Sequence, residues 1–212
     1  MSRRRREAVR GREAAAHDGS SLRWPGATAK FALFGEVLWV GVLCCVAGLG
    51  IVTIPAAFAA GSAHLHRFLR AEDSPLRQFA ADFTAALRTG WLVGLGVAVA
   101  VSLLLLDIVV ASSRLLPGWQ AVLALGVVLL ASVLAGLAGT TARWHAAGSW
   151  RVAWLEWIRD VRRDPAGVLW LVAAVALAAI VAWQLPPLVV PAVGCLVFAA
   201  LATSVRERPT GT

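Results

Sequence analysis

The hydrophobic and polar positions of this chain alternate in long blocks. Six apolar runs are separated by short polar stretches rich in arginine. The first two runs share residues 31–70, FALFGEVLWVGVLCCVAGLGIVTIPAAFAAGSAHLHRFLR. The block is interrupted at Gly48, Gly50 and Pro55, so it reads as two helices folded back on each other. The first span is expected at Phe31 to Val52. The second starts at Thr53, a residue type that caps helices, with Pro55 in the first turn, where its missing N–H costs nothing. From Pro55 to Arg70 that helix reaches only roughly 24 Å at 1.5 Å per residue, a short membrane segment.

Beyond Arg70 the period changes. Ser74-Pro75 signals a new helix start, and Leu76, Phe79, Phe83 and Leu87 recur at helical spacing with Arg77, Asp82 and Arg88 between them. The pattern predicts an amphipathic lead-in at the inner interface, running into a third span from Trp91 to Ser112. After the turn SSRLLPG a fourth span covers Gln120 to Thr141. Residues 142–165 differ: Trp150, Trp154, Ile158 and Val161 recur at i, i+4, i+8 and i+11 among Arg151, Arg159, Arg162 and Arg163. That is the pattern of a helix lying in the interface, with Ser149 as cap, Pro165 as stop and Trp150, Trp154 and Trp157 as headgroup-level anchors. Spans five and six follow at 167–184 and 188–204, turned by Pro186-Pro187.

Charge orders these segments across the bilayer. With six segments and the N-terminus inside, nineteen of the twenty basic residues fall on the inner side and Arg114 alone on the outer. The loops are short, which is where the positive-inside rule applies. A five-span reading sends the two arginine-rich connections outside. The expected fold is therefore all-α: a polytopic transmembrane bundle of six segments, the second one short, with amphipathic interfacial helices on the cytoplasmic side. Residues 1–30 are expected as a disordered basic tail, 31–205 as the transmembrane domain and 206–212 as a short tail, both termini cytoplasmic in a bacterial inner membrane.

Composition agrees. The 212 residues are 59% hydrophobic and 15% charged, with a mean hydropathy of +0.73, too little charge for the surface of a soluble domain. The net charge of +8 sits between apolar runs, so its partners are anionic headgroups rather than nucleic acid. Ala57-Phe58-Ala59 has the small residues of a signal cleavage site, but a charged tail of some thirty residues precedes the run, far longer than a secretory n-region, so the first span reads as uncleaved. Cys44, Cys45 and Cys195 form no metal or redox motif.

Chemistry-bearing residues are few. Asp107 interrupts SLLLLDIVV, where an ionised carboxylate costs at least ~2.5–3.5 kcal/mol at the bilayer centre. It reads either as a cation or proton site or as a carboxylate near the outer end of span three that pairs with Arg114. Glu36 reads either as a coupling-ion site or as a partner for Lys30, Arg67 or Arg88. His64 and His66 lie about 200° apart on a helix and share no face, so no metal site is expected. Gly90-xxx-Gly94, Ser132-xxx-Gly136-xxx-Thr140 and Ala135-xxx-Gly139 are small-residue stripes that allow close helix approach. No nucleophile elbow, P-loop or zinc-protease motif is present, and no cofactor is implied.

The stretch GIVTIPAAFAA, then RFLRAEDS, then RQFAADFTAALRTG before a long apolar span resembles the YesL-like family of bacterial integral membrane proteins. The family turn falls here on Gly50, Thr53 and Pro55, with Gly50 where the family tends to have Pro and Pro55 where it tends to have Gly. Gly41 stands about where the family often has Asn. The resemblance implies an accessory role in carbohydrate uptake. The expected function is thus a non-enzymatic accessory or assembly partner of a transporter complex. The alternative is a small stand-alone transporter or channel using Asp107 and Glu36.

Overall fold

A computed structural model describes residues 25–70, 72, 75–114 and 118–206. The chain divides into two units at Glu36 and Val37. Among the described residues the elements run in order: α1 Pro25–Ala47, a 3-10 turn at Ile51–Thr53, α2 Ile54–Leu69, α3 Leu76–Ser112 and α4 Trp119–Arg143, then α5 Trp150–Arg163, α6 Pro165–Gln184, a 3-10 turn at Pro186–Leu188 and α7 Val189–Arg206. No strand occurs among the described residues. Helices α3, α4 and α6, and residues Pro186–Ser204 at α7, are long and apolar enough to cross a membrane. The chain is therefore an all-helical membrane protein with four such helices among the described residues. The apolar part of α1, Phe31–Ala47, and the 16 residues of α2 fall short, because the chain breaks at Gly48 rather than at Val52.

Helix α1 begins at Pro25, within the stretch expected as tail, and residues 1–24 and 207–212 lie outside the described residues, as does the expected cap Ser74. The turn after α1 is closed by Thr53. Its hydroxyl does not cap α2; it reaches back, donating to the Ala47 carbonyl at 2.7 Å and to that of Gly50. Pro55 sits in the first turn of α2. Helix α2 then returns antiparallel to the second half of α1: the Cys44 thiol donates to the Ala57 carbonyl at 3.3 Å, and Gly61 faces Val40 and Cys44.

Nine of the 16 residues of α2 are buried, from Pro55 to Leu65. A helix buried on most sides needs small residues, and the sequence AAFAAGSA supplies them. Helix α3 packs on the turn before α2, where Gly94 meets the Val52 carbonyl; a Cβ there would stand 2.0 Å from that oxygen. Helices α1 and α7 cross at Gly41 and Gly194. A Cβ on Gly41 would lie 2.2 Å from the Val190 carbonyl oxygen, and one on Gly194 would lie 2.1 Å from that of Val37. Backbone thus packs on backbone, which only glycine permits and which brings Cα–H donors onto carbonyls.

The 37 residues of α3 span about 55 Å, well beyond a hydrocarbon core of about 30 Å. The amphipathic lead-in and the third apolar run are one continuous helix. Ser149 caps α5 as its sequence position implies, accepting from the Val152 N–H at 3.3 Å. Pro165 does more than stop α5: it opens α6, whose Gly167 N–H is capped by Asp164 at 3.0 Å.

Candidate functional site

The polar chemistry of the described residues gathers at one end of the bundle, where α2 ends, α3 begins and α4 passes into α5. Arg67 at the end of α2 donates to Asp82 of α3 at 2.7 Å, and Asp82 is only 5% exposed. One turn earlier on α2, buried His64 stands edge-on to Phe79, with ring centroids 6.2 Å apart. At the end of α4, Arg143 donates to Asp160 of α5 at 2.5 Å and to the Gly139 carbonyl at 2.9 Å. A charge at such depth is costly unless paired and hydrogen-bonded, which accounts for both aspartates facing arginine.

Helix α5 is fastened by two tryptophans seven residues apart. The indole N–H of Trp150 donates to the Ala86 carbonyl at 3.3 Å, and the ring fills the place where Gly90 would carry a Cβ, 2.2 Å from Nε1. Trp157 does the same against Gly139, with 2.2 Å from the missing Cβ to Cε3, while Arg143 lies 5.2 Å over its ring. Trp144 packs at 6.0 Å from Trp150, beside Ala56, Ala59, Ala86 and Ala153. Of the three expected anchors, then, Trp150 and Trp157 are buried between helices and Trp154 is 48% exposed. The inward face of α5 is Trp150, Ala153 and Trp157.

The small-residue stripes are brought together with these tryptophans. Gly90 and Gly139 hold the rings, Gly136 is in ordinary contact with Trp154 and Trp157, and Gly94 meets the turn before α2. Ser132 stands apart: it is exposed, and its hydroxyl donates to the Val128 carbonyl within its own helix.

Asp107 and Arg114 are not brought together. Asp107 is exposed, with its carboxylate against Gly126 of α4. Arg114, in the left-handed region at φ 61°, places its guanidinium 5.1 Å over Trp119. Glu36 is half-buried at the end of the first unit. Among the described residues no group of three or more His, Cys, Asp or Glu side chains could hold a metal ion.

Two cavities open between helices. One of about 210 Å³ is lined by residues such as Ile54, Phe58, Leu137, Ala178 and Val193. The other, about 390 Å³ between α6 and α7, is lined by Ala174, Leu177, Val181, Pro191 and Cys195 among others. Neither lining includes a charged residue. The aspartate–arginine pairs and the Gly41–Gly194 crossing were not singled out from sequence. The available signal was Asp82, an acid within an otherwise basic, apolar lead-in.

These features define a helical membrane protein whose buried charges are paired at one end and whose cavities are apolar. No family model, curated protein or solved structure matches this chain.

Proposed function

We propose that this protein is a non-enzymatic accessory or assembly component of a transport system in the bacterial cytoplasmic membrane. The observation that carries the reading is the apolar character of both interhelical cavities. A solute path through a protein needs several convergent polar groups. Here the two aspartates nearest the interior are each committed to an arginine, Asp82 to Arg67 and Asp160 to Arg143. The YesL-like resemblance of residues 31–110 adds carbohydrate as the cargo of the partner transporter.

In this reading the chain crosses or enters the bilayer six times, with both termini and α5 cytoplasmic. The antiparallel return of α2 along α1 supports it, as does the placement of nineteen of twenty basic residues on one side. The alternative is a small stand-alone transporter or channel using Asp107 and Glu36, and what favours it is that the exposed Asp107 carboxylate has no ion-pair partner among the described residues. Replacing Asp107 with Asn separates the two readings. An accessory protein keeps its transporter partner on purification in mild detergent, and the purified chain in vesicles carries no sugar or cation flux. Flux that the wild type supports and Asp107→Asn abolishes refutes the accessory reading.

A further inference from the structure

We infer that the outward flank of α5 is a seat for anionic phospholipid. Arg151, Trp154, Leu155, Ile158 and Arg162 recur at i, i+3, i+4, i+7 and i+11 and therefore share one face of the helix. That face is distinct from Trp150, Ala153 and Trp157, which are buried against α3 and α4. Arg151 and Arg162 are exposed, Trp154 is 48% and Leu155 54% exposed, and Ile158 is half-buried. Arg159 and Arg163 lie exposed on the adjoining surface. Of the carboxylates on and beside α5, Asp160 holds Arg143 and Asp164 caps α6, while half-buried Glu156, five residues from Arg151 and six from Arg162, lies on another face of the helix. The arginines of the flank thus present positive charge beside a tryptophan and two aliphatic side chains.

Arg151 and Arg162 stand about 16 Å apart along the helix, so the combination fits headgroup phosphates at both ends of the flank with the upper part of their acyl chains, since guanidinium pairs with phosphate in a fork geometry while tryptophan and leucine sit at the acyl boundary. Helix α5 is held at the right depth. It joins α4 to α6, two helices long and apolar enough to span, and its two buried rings fix its rotation. A free phosphate satisfies the arginines but leaves Trp154 and Leu155 in water, so the lipid is the occupant.

The test measures lipid retained by the full chain purified from nanodiscs of equal phosphatidylglycerol and phosphatidylcholine. Wild type is expected to retain phosphatidylglycerol preferentially. Arg151→Gln/Arg162→Gln is expected to weaken that retention by roughly thirtyfold, the worth of two arginines at an anionic surface, and Arg151→Lys/Arg162→Lys to keep most of it. If the Gln variant does not fold, the wild type alone decides: 1 M KCl should abolish the preference, and its persistence refutes the proposal. Equal retention of both lipids by wild type overturns it. Unchanged retention in a folded Gln variant does the same, as does displacement by soluble glycerol phosphate at the headgroup concentration.

Discussion

Adding one methyl group at Gly139 tests how α5 is held. A Cβ there would lie 2.2 Å from Cε3 of Trp157, whereas carbon atoms pack at about 3.5–4.0 Å. The indole must shift by well over an ångström, and it carries Arg143 on its face and through it the pair with Asp160. Overpacking of this kind costs about 1–3 kcal/mol. Loss of the cation–π contact adds ~0.5–2 kcal/mol. Gly139→Ala is therefore expected to destabilise by roughly 0.5–4 kcal/mol after the gain of about 1 kcal/mol from alanine as the better helix former is deducted. Trp157→Ala alone should cost ~3–5 kcal/mol. With the ring gone, the new methyl enters vacated space, and Gly139→Ala becomes neutral or stabilising by up to ~1 kcal/mol. The coupling in a double-mutant cycle is thus roughly 1.5–5 kcal/mol, the overpacking and cation–π contributions together. Unfolding in mixed micelles by increasing SDS, followed by far-ultraviolet circular dichroism, measures each corner of the cycle without relying on tryptophan fluorescence. Equal cost of Gly139→Ala with and without Trp157 refutes the notch.

Three further outcomes follow from the same contacts. Gly41→Asn should separate α1 from α7, since even a Cβ there would stand 2.2 Å from the Val190 carbonyl oxygen, and cost at least ~1–3 kcal/mol, read as loss of a monodisperse peak in size exclusion; tolerance refutes the crossing. Asp82→Asn should cost ~3–5 kcal/mol by stranding Arg67, whereas replacing both partners with apolar residues of like volume should cost far less, a contrast visible in the same SDS titration. Trp150→Phe keeps the ring in the Gly90 notch but removes the N–H donated to Ala86, for a loss of about 0.5–1.5 kcal/mol.

Much of the helical layout could be read from hydrophobic periodicity, because each apolar run is punctuated by proline, glycine or charge. The α5 cap at Ser149 and the turn at Pro186-Pro187 are local, and local signals are what a sequence carries. The inward face of α5 was not readable in the same way. Trp154 and Ile158 continue the apolar period as well as Trp157 does, and what selects Trp150 and Trp157 is a pair of glycines on other helices, Gly90 and Gly139. Such complementarity joins positions far apart in the chain and leaves no period behind. The same holds for Arg67 and Asp82, which read as topology charge and as a polar punctuation until the fold sets them 2.7 Å apart. Asp107 shows the converse: seven residues from Arg114, it looks like half of an ion pair, yet the left-handed backbone at Arg114 turns that guanidinium onto Trp119.

The proposed topology depends most heavily on the antiparallel return of α2 along the second half of α1, by which the chain would regain its starting side before α3 begins. Arg77, exposed near the start of α3, reports on it directly. In a chain whose own three cysteines are replaced, Arg77→Cys should resist a membrane-impermeant maleimide in intact cells and react fully in inverted vesicles, as should Arg159→Cys on α5. Labelling of Arg77→Cys from outside intact cells contradicts the reversal, and with it the cytoplasmic placement of the ion pairs and of the lipid seat.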